Sequence, residues 1–341
     1  MRIGVLTGGG DAPGLNAAIR AVTRTAEREG WEVLGFRNGW RGPLTGDCRT
    51  LDRDAVMGIL PIGGTILGTS RTNPYKQDGG PERVIHNLQN LGVDAIIPIG
   101  GEDTLGVALR LSRQGVKVVG VPKTIDNDIL GTDYTIGFDT AAGVVMDALD
   151  RLHPTAEAHH RVMVVEVMGR SVGWVATLGG LAGGADFILT PEVELSLEEI
   201  AHHLRRRHGE GQRKFSVIVV AEGAKLKDLK ASVVQEEKLD EFGHPRLGGI
   251  GQVLAQQLEE LTGYETRVTV LGHLQRGGSP SAFDRVLATR LGVGAVGLVK
   301  EGVYGVMVAM KGNRIVHVPL EEALANRPVE PELYRMAQIF T

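Results

Sequence analysis

Short apolar runs alternate with longer stretches in which apolar side chains recur at helical spacing, through most of this 341-residue chain. Residues 2–7 form the first run and predict a strand. Leu15, Ala18, Ile19, Val22 and Ala26 then repeat with a helical period over 15–28, and Gly30 ends it. Further along, 32–36 reads as a strand, 82–91 as a helix, 94–99 as a buried strand, 105–113 as a helix, and 117–121 as a strand stopped by Pro122. The rhythm resumes after Asp139, with helices at 140–152, 197–208 and 251–262 and strands at 162–167, 215–221 and 267–271. Residues 306–310 and 315–318 flank Lys-Gly-Asn-Arg, whose glycine and asparagine supply a hairpin turn. Strands alternating with helices predict an α/β fold with mainly parallel sheets covered on both faces, divided into two lobes. The charged stretch 225–245 has no clean period and reads as an exposed excursion.

Composition sets limits on this picture. Hydrophobic residues make up 42% of the chain, enough for a sizeable core. A net charge of −4 argues against a general nucleic-acid binder, which carries a basic excess. No apolar run approaches the roughly 18–20 residues of a membrane span. The first residues read as a strand without a signal-peptide layout. The single cysteine, Cys48, allows no internal disulfide and fits a reducing compartment. A soluble, cytoplasmic chain without nucleic-acid or membrane partners is expected. Glycine is the outlier: its 48 residues are twice the usual ~7%. They stand in pairs after apolar runs, as tight strand-to-helix loops require.

Those loops carry the candidate chemistry. Gly8-Gly9-Gly10-Asp11-Ala12-Pro13-Gly14 lies between a strand and a helix, where backbone N–H groups and the helix dipole suit an anion. It is neither a P-loop nor a strict dinucleotide fingerprint, and a plain structural turn fits it as well. Gly100-Gly101-Glu102-Asp103-Thr104 follows a buried strand. Its two acids either charge a helix N-terminus or hold Mg²⁺, which prefers a few carboxylates plus water and phosphate. Lys123-Thr124-Ile125-Asp126-Asn127-Asp128 is the most informative loop. One aspartate there can take a hydroxyl proton, and the lysine can neutralise a phosphoryl group in flight. The bland alternative is an Asx-rich turn.

Cations come from the second half of the chain. Glu166-Val167-Met168-Gly169-Arg170 ends one strand, and Gly272-His273-Leu274-Gln275-Arg276-Gly277-Gly278 follows another. His273 and Arg276 in one glycine-flanked loop suit an anion clamp, because Arg forks match phosphate oxygens. Arg161 and Arg267 head two strands, and Glu222 closes a third, where a carboxylate suits sugar hydroxyls.

The segments 8–16, 100–104, 122–128, 166–170, 221–223 and 271–280 together resemble the phosphofructokinase family, in its order and over nearly the whole chain. The resemblance implies two Rossmann-like lobes with an active site in the cleft between them. Residues 1–138 with about 275–300 would bind the phosphoryl donor, and 139–274 with about 301–341 the sugar phosphate. It implies transfer of a phosphoryl group to the C1 hydroxyl of fructose 6-phosphate, with Mg²⁺ as cofactor. Asp126 would be the general base, flanked by Thr124, Ile125 and Asp128, and Glu102 would carry the metal. Gly10, Arg71 and Thr104 would meet the donor. Met168, Gly169, Arg170 and Glu222 would contact the sugar phosphate. His273, Leu274, Gln275 and Arg276 would hold its 6-phosphate, with Arg161 and Arg267 reaching in from a neighbour in a homodimer or homotetramer.

Two positions bear on the donor. Pyrophosphate users in the family resemble this chain in carrying Asp103 and Lys123, where ATP users commonly have glycine at the first. A carboxylate at Asp103 would repel a nucleotide's α-phosphate. ATP-driven transfer is the nearest rival. A nicotinamide-nucleotide or lipid kinase leaves 122–128 and the His273/Arg276 loop unexplained. A dinucleotide dehydrogenase lacks its expected acid, because Arg37 and Asn38 follow Phe36. A non-catalytic sugar-phosphate sensor has no need of Asp126 and Glu102.

Overall fold

A computed structural model describes residues 1–210, 214–228, 234–236 and 246–339. The chain opens with β1 (Arg2–Thr7), α1 (Leu15–Arg28), β2 (Glu32–Phe36), α2 (Arg41–Thr45) and β3 (Cys48–Leu51). There follow α3 (Gly80–Asn90), β4 (Ala95–Gly100), α4 (Glu102–Ser112), β5 (Val119–Pro122) and the long α5 (Phe138–His159). Next come β6 (Val162–Val167), α6 (Trp174–Ala182), β7 (Phe187–Leu189), α7 (Leu197–Glu210) and β8 (Ser216–Ala221). A short pair, β9 (Val234–Glu236) and β10 (Arg246–Leu247), precedes α8 (Ile250–Thr262) and β11 (Thr266–Val270). The chain continues through α9 (Ala282–Glu301), β12 (Val306–Lys311), β13 (Arg314–Pro319) and α10 (Pro331–Gln338).

Among the described residues, one compact unit comprises Met1–Thr140 and Arg276–Asn326. Its seven strands run β13-β12-β5-β4-β1-β2-β3, parallel from β12 to β2, with antiparallel β13 and β3 at the edges. Side chains alternate across this sheet, so Ile3, Val5, Ile97 and Ile99 pack beneath α1 and α9. Leu6, Ile96, Val118 and Met307 pack on the other face with α3 and α4. The remaining described residues form a second unit around the all-parallel sheet β11-β6-β8-β7. There Val162, Val164, Ile218 and Val220 meet the apolar stripes of α7 and α8. Each unit is thus a Rossmann-like lobe, as the family resemblance implies.

The lobe boundaries need correction. Residues 301–326 fall in the first unit, because β12 pairs in parallel with β5 through Val306↔Val119 and Met307↔Gly120. Only Arg327 onward joins the second unit. An apolar run records that it needs a sheet, not which sheet receives it. The helix predicted at 140–152 runs from Phe138 to His159 and contains Pro154. Pro122 ends β5 but still pairs with Gly100, because only its missing N–H limits the ladder. Helix α4 starts at Glu102 rather than 105, with both acids in the first turn, where the helix dipole favours them. The excursion at 225–245 lies outside the described residues except for 225–228 and β9.

Candidate active site

Open parallel sheets bind ligands beyond the carboxyl ends of their strands, near the point where strand order reverses. In the first unit that point lies between β1 and β4. The three loops singled out from the sequence follow β1, β4 and β5, which are neighbours in the sheet, so all three open on one edge.

Backbone bonds knit the loops together. Gly8 N–H donates to the Ile99 carbonyl at 3.0 Å, and Lys123 N–H to the Gly100 carbonyl at 3.0 Å. The buried Thr104 side chain wedges between the first two loops. A Cβ on Gly8 would stand 2.5 Å from Thr104 Oγ1, and one on Gly100 would stand 2.4 Å from Thr104 Cβ. Only glycine admits that approach. Helix α1 starts behind Gly14, whose φ of 104° no L-residue adopts cheaply and which offers no side-chain cap to the first N–H groups.

Lys123 is 2% exposed, and its ammonium donates to the carbonyls of Gly8 (2.9 Å) and Gly10. It therefore braces the glycine loop from behind, a role the bare sequence does not disclose. Arg276 reaches the same loop, donating to the Asp11 carbonyl at 3.1 Å, and a Cβ on Gly10 would meet its guanidinium at 2.6 Å. Arg71 is exposed and follows Ser70, whose carbonyl accepts from Gly9 N–H at 3.1 Å. Arg71 thus borders the loop as well.

Asp126 is 4% exposed, and its Oδ1 is buried without a hydrogen-bond partner among the described residues. A carboxylate oxygen left so is costly in a folded chain and points to a missing donor. Hydrogen bonds tie the surrounding loop to residues 133–135. Asn127 holds a left-handed turn at φ 54°, accepts from Thr135 N–H at 2.9 Å and donates to the Asp133 carbonyl at 3.2 Å. Thr135 Oγ1 donates to the Thr124 carbonyl at 2.7 Å. Ile125 is fully buried, while Thr124 and Asp128 are half-buried. Sequence reasoning missed Thr135. The one signal for it was an Asn between two aspartates, since such an Asn in a turn needs partners further along the chain.

Glu102 and Asp103 stand half-buried at the head of α4. A Cβ on the adjacent Gly101 would touch the Lys123 carbonyl at 3.6 Å, so this helix head packs on the Asp126 loop. Among the described residues, no three His, Cys, Asp or Glu side chains gather to hold a metal alone. Mg²⁺ needs only one or two carboxylates when phosphates and water complete its octahedron, so these oxygen ligands fit it.

The second unit repeats the arrangement with β11, β6 and β8, whose following loops carry Gly272–Gln275, Met168–Arg170 and Glu222. Gly169 and Arg170 both take positive φ, and their N–H groups donate to Glu222 Oε1 at 3.4 and 3.1 Å. Glu222 therefore shapes the Met168–Arg170 turn itself, and a sugar hydroxyl would have to share it. His273 and Leu274 are exposed, whereas Gln275 is buried and donates to the Gly272 carbonyl at 3.1 Å. Arg161 and Arg267 converge on Glu265, the first at 2.8 Å. The Glu265 carboxyl is pulled below the usual range by the hydrogen bond from Arg161 and then by both guanidinium charges. Sequence reasoning missed this acid, although it sits two residues before one strand-head arginine. β6 and β11 are parallel, so both arginines lie at the opposite strand ends from Met168–Arg170 and His273. Six residues of β6 put that separation at roughly 20 Å. The structure does not bring these two groups together within one chain.

Residues 2–299 match the family described as Phosphofructokinase. A protein from Amycolatopsis methanolica named pyrophosphate–fructose 6-phosphate 1-phosphotransferase is 57% identical over 343 residues, covering 100% of this chain and 99% of its own. A protein of the same name from Streptomyces coelicolor is also 57% identical, with the same coverage. One named ATP-dependent 6-phosphofructokinase, from Corynebacterium efficiens, is 51% identical over 327 residues, 95% of this chain and 94% of its own. The T-state phosphofructokinase of Pichia pastoris superposes with a TM-score of 0.84 at 34% identity over 95% of this chain, which spans only 35% of the yeast one. A pyrophosphate-dependent phosphofructokinase from Marinobacter aquaeolei shares the fold at 24% identity, with a TM-score of 0.83 over 97% of this chain and 86% of its own. This chain belongs to the phosphofructokinase family.

Proposed function

We propose that this protein transfers a phosphoryl group from pyrophosphate to the C1 hydroxyl of fructose 6-phosphate, giving fructose 1,6-bisphosphate and phosphate. The observation that carries the chemistry is the buried Oδ1 of Asp126, unpartnered among the described residues, in the loop after β5 beside the glycine loop that follows β4. That oxygen takes the C1 hydroxyl proton as the hydroxyl oxygen bonds to phosphorus. The bridging P–O bond of pyrophosphate breaks, and phosphate leaves. Backbone N–H groups around Gly10, with Arg71, receive the donor oxygens. Arg276, expected on the sugar phosphate, leans on the Gly10–Asp11 loop, which supports a place beside the transferring group. Lys123 keeps the loop in shape through its carbonyls. Glu102, with Asp103 beside it, would hold Mg²⁺, which supplies charge neutralisation on the donor oxygens when bound. Thr104 serves the donor site by spacing Gly8 from Gly100.

The sugar phosphate falls to Met168, Gly169, Arg170, Glu222, His273, Leu274 and Gln275. Arg161 and Arg267 lie at the far strand ends, which supports their service to a neighbouring subunit's 6-phosphate in a homodimer or homotetramer. Among the described residues no helix is long and apolar enough to cross a membrane. The half-buried Cys48, its thiol pKa raised by burial, fits the reducing cytoplasm in which we place the reaction.

Pyrophosphate is favoured over ATP by Asp103 and by the relatives bearing that donor's name at 56–57% identity over the full chain. ATP-named relatives stand at 51–52%. Initial rates with pyrophosphate, ATP and GTP, each with fructose 6-phosphate, test the reading. Turnover is expected from pyrophosphate, with Asp103→Gly gaining ATP use. Robust ATP turnover by the unaltered chain, with none from pyrophosphate, would reverse the donor assignment.

A further inference from the structure

Asp284 lies in none of the loops described above, yet it is fully buried. It sits in the first turn of α9, capped by Ser281, whose Oγ accepts from Asp284 N–H at 3.1 Å. Its carboxylate faces the start of α5. Oδ1 accepts from Gly137 N–H at 2.9 Å, and Oδ2 accepts from Thr140 N–H at 2.9 Å and Thr140 Oγ1 at 2.5 Å. Thr140 Oγ1 in turn accepts from Ser281 N–H at 3.0 Å, and Ser281 Oγ donates to Asp139 at 2.5 Å. Burial pushes the Asp284 carboxyl up to about 6 in spite of these donors, and the neighbouring Asp139 adds to the rise. The chain thus spends stability to keep a carboxylate where a neutral cap would serve the helix.

What this carboxylate grips explains the expense. Gly137 ends a strap of residues, 132–137, that runs between the two loops of the proposed reaction. On one side, Ile136 bridges to Lys123 and donates its N–H to the Pro122 carbonyl at 3.3 Å, while Thr135 bonds Thr124 and Asn127. On the other side the strap touches the glycine loop. A Cβ on Gly137 would stand 2.6 Å from Ala12 Cβ and 3.4 Å from Ile125, and one on Gly14 would stand 2.7 Å from Ile136. Moving Gly137 would therefore move the Asp126 loop against the glycine loop. Close packing leaves no slack to absorb the shift.

We infer that Asp284 is a positioning residue for phosphoryl transfer: by anchoring Gly137 and Thr140 it fixes the spacing between the Asp126 loop and the glycine loop. The inference rests on the phosphotransferase reading for its kinetic consequence, although not for its structural one. Geometry of this kind is expensive to disturb, since a displacement of about 1 Å costs reactions of this class on the order of 10²-fold.

The test compares Asp284→Asn with the unaltered chain, at a temperature where urea titration shows both fully folded. The amide can offer only one acceptor oxygen, so one of the two anchors is lost. In the folded variant kcat is expected to fall by about 10–100-fold while KM for both substrates stays within about threefold. Amide hydrogen exchange should quicken over 122–128 and 8–14. Thr140→Val, which removes one donor to Asp284 and the acceptor of Ser281 N–H, should show a smaller fall in kcat, and Thr140→Ser, which keeps the hydroxyl, should restore most of it. A kcat within twofold in folded Asp284→Asn overturns the positioning role, whatever its unfolding midpoint. Should Asp284→Asn fail to fold, the Thr140 pair decides: equal kcat for valine and serine overturns it. Failure of the unaltered chain to use pyrophosphate sinks the reaction reading alone. Exchange over 122–128 then judges Asp284, and unchanged protection there overturns its hold on the loop.

Discussion

Under the proposed reaction, Asp126 concentrates the chemistry in one carboxylate oxygen. Asp126→Asn keeps the shape of the loop but removes the proton acceptor. Turnover from pyrophosphate is expected to drop by roughly 10²–10⁴-fold with fructose 6-phosphate binding retained, as steady-state rates and equilibrium binding would show. Near-normal kcat would remove Asp126 from the role of base. At this scale the sequence was informative about residue type and loop, and less so about work. Asp126, Glu102 and Gly10 stand at the strand ends where the pattern predicts them. Lys123 and Glu222 also stand there, but part of their bonding goes to backbone of their own lobe, Lys123 to glycine carbonyls and Glu222 to two N–H groups. A motif records that a charge is needed in a loop. It does not say whether the charge faces a ligand or holds the loop that does. Asp284 was illegible for the same reason, because its partners lie about 145 residues away, at Gly137 and Thr140.

Among the elements, β6 and α8 show how a buried charge ties two pieces of a lobe. Glu166, 3% exposed near the end of β6, accepts from Gly249 N–H at 2.9 Å and Gly251 N–H at 2.8 Å, where α8 begins. A carboxylate suits that end of the helix dipole. Glu166→Ala would leave these N–H groups without partners, at a cost of about 2–4 kcal/mol. Urea unfolding of the second lobe measures it, and an unchanged midpoint would show that water replaces the carboxylate. Elements with clean periods, such as β1, α1, β2 and β6, appear within the bounds their patterns predict. α9 escaped because its apolar positions spread around the helix: Leu287, Leu291 and Val299 are buried, while Val286 and Val293 are exposed. β7, with only Phe187–Leu189, is too short to show an alternation. β12 and β13 were legible as a hairpin but not as members of the first sheet, since strand pairing across long separations leaves no local trace.

Over the whole molecule, one buried histidine couples the second lobe to pH. His203 on α7 packs against Phe187 with its Nε2 buried and without a hydrogen-bond partner among the described residues. Burial depresses its pKa below 6.5, and Arg206, Arg207, His202 and His208 depress it further. The unfolded chain therefore binds a proton more readily than the native one, so stability is full above pH 6.5 and is lost as the pH falls below it. Urea midpoints at pH 7.5 and 5.5 should differ less for His203→Leu than for the unaltered chain. An equal drop in both would place the acid sensitivity elsewhere. Residues 1–140 and 276–326 hold Gly10, Arg71, Asp103 and Asp126, whereas Arg170, Glu222 and His273 belong to the other unit. Under the proposed reaction, the positions that choose an energy currency are thus confined to the first unit. A lineage could trade one diphosphate donor for a nucleotide by substitutions confined to the first, leaving its grip on the acceptor as it was.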